Sequence, residues 1–589
     1  MLVPGTPFVL LDDARPGGAQ TLYRNPSTIL VAQRAGDVRP ALAEIRAATR
    51  DGLHAAGWLS YEAGPAFEPT LPAPHASDTG LPLLWFGLFE QAETLDAAAF
   101  ERLLPDAAGG WVGAPRPRVS RRAYQQAFDR VAALIAAGDI YQANLSFRAD
   151  VPVAGHPLAI YARLRSSAQV GWGGIAYDGQ NWLLSLSPEM FFQTDGAAVS
   201  ARPMKGTAAR GRDPAEDAAL AAELAADPKQ RAENLMIVDL IRNDLSRVAQ
   251  PGSVATPRLF AVEQYPTVHQ MVSDVTAQLQ PGRDAVDLLE ALFPCGSITG
   301  APKVRAMEII GEVEPDSRDA YTGSIGVFAP DGSAAFNVAI RTLGLRDGAR
   351  RARMGLGSAV VADSTAESEW RECLAKGAFV TAASTSFDLF ETMRFEPDEG
   401  VVRLEDHLAR LARSAAALGF VFDRHDIRHR LHAATYRRTT PARLRLMLSA
   451  GGAIAVEVGD LPATPTAPVE AAVIPLPVDP ADFRLRHKTT DRGFYTAARQ
   501  ASGCFEALLV RPDGWLTEGS FTNIFVPRDG VLVTPPLDRG LLPGILRGCL
   551  IEEGRAREGD LTVADLSGDF FIGNDLRGLM KARLGSKKP

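Results

Sequence analysis

Apolar positions along this chain follow two periods, and the two come in separate blocks. Alternation predicts short strands at 8–11, 27–32, 57–64 and 83–89, parted by alanine- and proline-rich loops at 65–82 and 105–117. Ser120 is placed to cap a helix carrying Tyr124, Phe128, Val131 and Ile135 and stopped by Gly138. Residues 139–147 alternate as a strand; strands follow at 173–176 and 183–187, with 188–191 closing a turn. The stretch 213–248 reads as helix, 268–275 as strand and 283–293 as helix. A late group of strands at 324–328, 335–343 and 351–361 precedes a helix over 366–376. The pattern then restarts with a strand at 387–394 and an amphipathic helix at 407–418 ended by Gly419. A proline-rich crossover at 461–482 follows, then strands at 505–511, 522–526 and 531–534, then helices. Runs of strands and runs of helices, without regular βαβ alternation, predict an α+β chain. The restart divides it into 1–380 and 386–589, with the boundary between 377 and 386.

Composition narrows the function. At 589 residues the chain exceeds what one core serves, so two large domains are expected. A formal charge of −8 lacks the basic footprint of a nucleic-acid binder, so anionic ligands must be met by local arginines and lysines. No apolar run is long enough to span a bilayer, and the first residues lack a basic region and cleavage site, so neither membrane nor export is expected. Cys295, Cys373, Cys504 and Cys549 are scattered with no Cys-x-x-Cys. They read as buried thiols in a cytoplasmic protein, not as a disulfide framework or zinc site.

The chemistry concentrates in patches. In 294–310, a turn with Gly296, Ser297, Thr299 and Gly300 enters Pro302 and a helix with Val304, Met307 and Ile310 on one face. A glycine-lined helix start flanked by Lys303 and Arg305 reads as an anion site; the glycine spacing is not that of a Walker loop. Lys205 lies in a loop between Pro203 and Gly206. Glu233 stands at the core edge of a helix, and Glu369, Glu372 and Lys376 share another helical face. That stripe is also compatible with an exposed i,i+4 pair. Arg341 sits on an apolar strand and needs a partner, most simply a carboxylate. Helical carboxylates together with anion-directed cations suggest Mg²⁺ bridging protein and substrate carboxylates.

These patches, with Tyr141-Gln-Ala-Asn-Leu-Ser146, Ser187-Pro-Glu189, Pro203-Met-Lys-Gly-Thr207, His269, Tyr321-x-Gly-Ser-Ile-Gly326 and Ala362-Asp-Ser, resemble the chorismate-utilising enzymes, specifically aminodeoxychorismate synthase component I, over about 1–380. The resemblance implies Mg²⁺ on Glu233 and Glu372 with Glu369 close by. It implies a substrate site of Gly206, Thr207, His269, Thr299, Tyr321, Arg341, Gly357 and Lys376, and Glu189 as general acid/base for departure of the C4 hydroxyl. Isochorismate synthases carry a lysine where this chain has Gln142, and anthranilate synthases an alanine where it has Lys205. Lys205 is therefore expected to be a covalent nucleophile, made neutral by desolvation beside other cations. Gln230 replaces a glutamate common among relatives. No glutaminase is encoded, so ammonia is free or delivered by a separate glutamine amidotransferase subunit.

In the second unit, Lys488 follows an alternating strand, Glu518 precedes a glycine turn, and Gly540-Leu-Leu-Pro-Gly-Ile-Leu-Arg547 is another Gly-Pro turn into a helix. Their order resembles the fold-type IV pyridoxal 5'-phosphate (PLP) enzymes, the family of aminodeoxychorismate lyase and the branched-chain and D-amino acid aminotransferases. By that resemblance Lys488 carries PLP and shuttles protons, and Glu518 pairs with the pyridine nitrogen. Arg410, Thr522 and the backbone of Ile545 and Leu546 hold the phosphate, Thr392 faces substrate, and a homodimer forms through this domain. The whole chain is then expected to make 4-aminobenzoate from chorismate and ammonia in two steps. A second unit that transaminates or only dimerises, and a first unit that makes anthranilate, are the alternatives.

Overall fold

The computed structural model describes residues 3, 5–72, 77, 79–265, 268–382 and 386–585. They form two compact units. The first comprises 1–103, 114–151 and 164–383; the second comprises 384–589 together with 104–113 and 152–163. Among the described residues no helix is long and apolar enough to cross a membrane.

The first unit is built on two large sheets. One runs, in spatial order, through Gln142–Ala154, Arg351–Val360, Thr342–Arg346, Asn181–Ser187, Trp172–Tyr177 and Phe8–Asp12. The other runs through Met204–Ala209, Val268–Gln278, Ala198–Ala201, Met190–Thr194, Ala334–Asn337, Ser324–Phe328 and His54–Leu59. One buried cluster draws Val9, Ala176 and Leu183 from the former and Ala56, Trp58 and Ile325 from the latter, so the sheets share a core. A second cluster sets Phe192 and Phe336 against the helices Ala35–Arg50, Pro228–Ser246 and Ala285–Leu292.

Two expectations fail here. Residues 1–110 were expected to hold strands alone, yet Ala35–Arg50 is a helix with Val38, Leu42 and Ile45 buried. Pro40 lies inside it, where a missing N–H normally argues against helix. The strand expected over 335–343 is broken as well. Ala334–Asn337 belongs to one sheet and Thr342–Arg346 to the other, and the chain crosses between them at 338–341.

The second unit opens with the antiparallel order Gly400–Val401, Leu389–Glu396, Ala442–Leu448, Ile454–Gly459. Leu408, Leu411 and Ala415 of the helix Leu404–Leu418 pack with Leu444 and Leu446. Gly419, at φ +72°, takes the left-handed cap that ends the helix. An eight-stranded mixed sheet follows, in which Val469–Pro475 pairs in parallel with both Glu506–Val510 and Gly578–Leu584. The proline-rich 461–482 is thus no plain crossover, since it contains an interior strand. The chain also returns to strands after the helix Ile545–Glu552, where only helices were expected.

Candidate active sites

In the first unit Lys205 rides on Met204–Ala209, and its carbonyl accepts from Asn234 Nδ2 at 3.2 Å. Ser273 Oγ donates to Asn234 Oδ1 at 2.6 Å, tying strand to helix. The helix Pro228–Ser246 sets Glu233 Oε2 3.2 Å from Lys205 Nζ. The helix Ala366–Gly377 brings Glu372 and Lys376, paired at 2.7 Å, and Lys376 Nζ also donates to Gly357 O at 3.1 Å. Against the burial that opposes it, Lys376 and then Lys205 hold the Glu372 carboxyl below its usual range. Glu189 completes the group. Burial pushes its carboxyl up to about 7, while Ser297 Oγ donates to Oε1 at 2.7 Å and Lys376 and Lys205 pull the other way. Four segments of the chain thus deliver two lysines and three carboxylates to one place.

The remaining substrate candidates are placed as follows. Gly206 has φ +105°, and a Cβ there would stand 3.0 Å from Gln230 Oε1. Thr207 Oγ1 donates to Gln270 Oε1 at 3.0 Å, and Gln270 Nε2 donates to Gly206 O at 2.8 Å. A Cβ on Gly357 would meet Tyr321 Oη at 2.9 Å and Ser146 Cβ at 2.7 Å, so only glycine leaves that space. Tyr321 is half-buried, and its desolvation raises the phenol. His269 is wholly buried, with Nε2 2.8 Å from Asp217 Oδ1 and Nδ1 lacking a hydrogen-bond partner. Thr299, also wholly buried, donates to Cys295 O at 3.1 Å.

Four readings need correction. Arg341 lies in the crossing between the sheets at φ +50°, and no carboxylate among the described residues forms an ion pair with it. Burial lowers its guanidinium, so it is a cation without an internal anion. Lys303 and Arg305 do not make an anion site. Lys303 Nζ meets Asp244 Oδ2 at 2.5 Å and Leu292 O at 2.8 Å, and Arg305 pairs with Glu308 and Asp139. Lys205 has a carboxylate as its ionic partner, not only other cations. All four cysteines are free; Cys295 and Cys373 are buried, but Cys504 and Cys549 are partly exposed.

Glu233, Glu369 and Glu372 offer the hard oxygen donors that Mg²⁺ takes. Glu369 is buried with Oε2 unpartnered. Among the described residues no three acidic, histidine or cysteine side chains are gathered as a ready metal cluster. The donor set therefore fits an ion completed by water and substrate oxygen, with Glu233 and Glu372 first exchanging their lysines.

In the second unit Lys488 follows the short helix Phe483–Arg486, not an alternating strand. Its carbonyl accepts from Phe390 N at 3.0 Å, and Nζ lies 5.1 Å from the Phe390 ring centroid. Burial, then the charges of Arg410, Arg492 and Arg445, press its amine down to about 7, with Glu391 opposing. Glu518 lies on the strand Leu516–Gly519, takes hydrogen bonds from Tyr495 Oη and Leu542 N, and is pushed up to about 7 by burial. Arg410 donates to both oxygens of Glu391, at 2.9 and 2.6 Å, and to Pro543 O at 3.0 Å. Pro543 leads into Gly544, the uncapped N-terminus of Ile545–Glu552, whose first N–H groups, Ile545 and Leu546 among them, have no partner within the helix. A Cβ on Gly544 would stand 1.9 Å from Asn523 Oδ1. A half-buried lysine of low basicity, a set of arginines and an uncapped helix start fit PLP. Thr522 fits less well as a phosphate donor, because its hydroxyl donates to Glu506 Oε2 at 2.7 Å. Thr392 lies on Leu389–Glu396 on the face opposite Glu391, as strand alternation requires.

The chorismate binding enzyme family model matches residues 7–382. The chain belongs to that family. The class IV amino-transferase model matches 388–584. Aminodeoxychorismate synthase component 1 of Klebsiella aerogenes is 40% identical over 341 residues, covering 55% of this chain and 75% of that protein. Its Bacillus subtilis (strain 168) counterpart is 41% identical over 282 residues, covering 48% and 59%. Among solved structures, anthranilate synthase component I from Streptococcus pneumoniae TIGR4 aligns with a TM-score of 0.55 at 25% identity, covering 62% of this chain and 92% of that one. The menaquinone-specific isochorismate synthase of Escherichia coli shares the fold, with a TM-score of 0.50 at 20% identity, covering 64% and 88%.

Several groups at these sites escaped sequence reading. Ser297 was noted as a turn residue, but nothing local shows that it reaches Glu189. Asn234 adjoins Glu233 and could have been flagged by that adjacency. Behind Arg410 runs a buried relay. Glu391 accepts from His407 Nδ1 at 2.7 Å, His407 Nε2 meets Asp575 Oδ2 at 3.0 Å, and Asp575 pairs with Arg403 at 2.6 Å. Both ring nitrogens face carboxylates, and against burial Asp575 and Glu391 raise the His407 imidazole. Asp575, 168 residues from His407, has no sequence signal at all.

Proposed function

We propose that the chain makes 4-aminobenzoate from chorismate and ammonia, with one step in each unit and the division near residue 380. The observation that carries the reading is Lys205, held among Glu233, Glu372 and Glu189 at the position where the resemblance places a covalent lysine. Arg341 and Tyr321 take the enolpyruvyl carboxylate; Lys376 with the backbone at Gly206 and Thr207 takes the ring carboxylate. His269 and Thr299 shape the pocket from behind. Glu233, Glu369 and Glu372 would hold Mg²⁺, which supplies positive charge to substrate oxygens. The ion pair with Glu233 has to open and the Lys205 ammonium to give a proton to water before the neutral Nζ attacks. Lys205 then bonds to the ring as the C4 hydroxyl leaves, taking a proton from Glu189, and the hydroxyl departs as water. Ammonia next bonds at C4, Lys205 is released, and Glu189 recovers a proton. A carboxyl poised near 7 suits both directions of that transfer.

In the second unit PLP would sit between Lys488 and Glu518, with its phosphate toward Arg410 and the start of Ile545–Glu552; when bound it supplies an electron sink. Lys488 moves the ring proton, Glu518 holds the proton state at the pyridine nitrogen, and Thr392 lies on the substrate side. The enolpyruvyl group leaves as pyruvate and the ring becomes aromatic. The relatives' designation as component 1 supports a separate amidotransferase subunit as the ammonia source. By analogy with its fold type, the second unit forms a homodimer.

The test supplies purified protein, PLP and Mg²⁺ with chorismate and ammonium, and identifies products by mass. 4-Aminobenzoate plus pyruvate is expected. Anthranilate would overturn the role of Lys205. Accumulated 4-amino-4-deoxychorismate would leave the first step standing and turn the second unit into an aminotransferase of another amine, as its family model's description allows.

A further inference from the structure

The guanidinium groups around Lys488 are not equivalent. Arg410 is neutralised by both oxygens of Glu391 and is anchored on Pro543, at the helix start where a phosphate would lie. Arg445, whose Nε is buried without a hydrogen-bond partner, lies with its Cζ 4.8 Å over the Phe390 ring and has no anchor to Glu518 among the described residues. Arg492 likewise forms no ion pair with any described residue, and its Nη1 is buried without a hydrogen-bond partner. Leaving such a donor unmade costs more than a neutral hydrogen bond gains, so an internal N–H of this kind points to an absent acceptor. The group is also held in place. Arg492 is the N-cap residue of the helix Gly493–Ser502, and its Cζ lies 4.0 Å over the Tyr495 ring. Tyr495 in turn donates to Glu518. Arg492 is therefore fixed beside both groups that define the second site, Lys488 and Glu518, and apart from the arginine already serving the phosphate cradle. A planar guanidinium with a free edge matches a carboxylate, and an edge held rigid in advance loses little entropy on binding.

We propose that Arg492 is the specificity residue of the second unit, its Nη1 taking a carboxylate of the substrate whose amine is presented to Lys488. The site then selects an amine that carries a carboxylate away from the reacting nitrogen. The burial of Lys488 among arginines agrees with this, since the field that favours its neutral amine also draws in an anion. The inference rests on the second unit binding PLP as set out under Proposed function.

Chorismate is a suitable probe, because it has the carboxylates of the amine substrate but a hydroxyl in place of the amine. Its binding to the PLP-loaded full chain is followed through the absorption of the bound PLP, which reports only the second unit. Arg492→Gln is expected to weaken chorismate at that site by about tenfold to a hundredfold, the range for one hydrogen bond between charged groups, while PLP affinity changes by less than about twofold. Arg492→Lys should recover part of the loss. The uncharged 4-aminobenzamide should bind wild type and Arg492→Gln alike. Unchanged chorismate binding in Arg492→Gln overturns the inference, as does a wild-type PLP band blind to chorismate. A parallel loss of PLP affinity overturns it too, because Nη1 would then belong to the cofactor. A wild-type chain that takes up no PLP defeats the underlying reading of the second unit instead.

Discussion

The low basicity of Lys488 has a measurable thermodynamic consequence in the PLP-free protein. Its amine ordinarily titrates at 10.5 and here is pressed to about 7, chiefly by burial. The folded chain thus resists a charge that the unfolded chain accepts. Well above pH 10.5 both states are neutral and nothing is lost. As pH falls, the unfolded state takes a proton that the folded state refuses, and stability drops until the folded pKa is passed; below about 7 the loss is constant. At about 1.4 kcal/mol per pH unit, the loss is under about 1 kcal/mol at pH 10, about 3 at pH 8 and about 5 at pH 6. Lys488→Met keeps the shape and removes the charge. Its stability gain over wild type should therefore grow in that order, on top of any constant offset from the apolar side chain. Hydrogen exchange of the intact chain, read by mass spectrometry on peptides spanning Ala442–Leu448 and Glu506–Val510, measures the opening of this unit by itself. A gap that stays flat from pH 6 to pH 10 would refute the claim that the surroundings of Lys488 disfavour its charged form.

Other expectations are briefer. Glu189→Gln should lower chorismate amination by roughly a hundredfold to ten-thousandfold and abolish the rate inflection near pH 7 that the wild-type carboxyl provides; initial rates across pH 5.5–9 check both. Lys303→Met strands the buried Asp244 and should cost about 3–5 kcal/mol in thermal or denaturant unfolding with little change in the KM for chorismate, whereas a raised KM alone would restore the anion-site reading. His407 has its folded pKa raised, so its contribution is complete below its ordinary value of 6.5 and fades as pH rises through the folded value. PLP affinity should therefore weaken toward alkaline pH, and His407→Gln should bind PLP less tightly with that pH dependence gone, as dialysis and absorbance would show. Lys488→Ala should lose the absorption of bound PLP near 420 nm that wild type is expected to show, while amination of chorismate by the first unit continues.

Sequence reading succeeded where a residue's role depends on its neighbours in the chain and failed where it depends on partners far away. Ser120 caps its helix, accepting from Ala123 N at 3.1 Å, and Gly419 ends the next unit's first long helix, because caps are settled within a turn. The helix Ala35–Arg50 was hidden by Pro40, although its buried positions recur at helical spacing; tertiary packing on one sheet outweighed one missing backbone bond. Charge was the least legible property of all. A lysine beside a glycine-lined helix start reads as an anion site, yet Asp244, 59 residues earlier in the chain, neutralises Lys303 entirely within the protein. Arg341 is the converse case: the sequence calls for a partner, most simply a carboxylate, and none among the described residues forms an ion pair with it. The two cases turn on the same physics. A buried cation must be compensated, and where the protein supplies the compensation the residue is structural. Arg341 and Arg492, each left without an ion pair, are therefore better guides to where anionic ligands belong than the lysine and arginine of the sequence motif that most resembled an anion site.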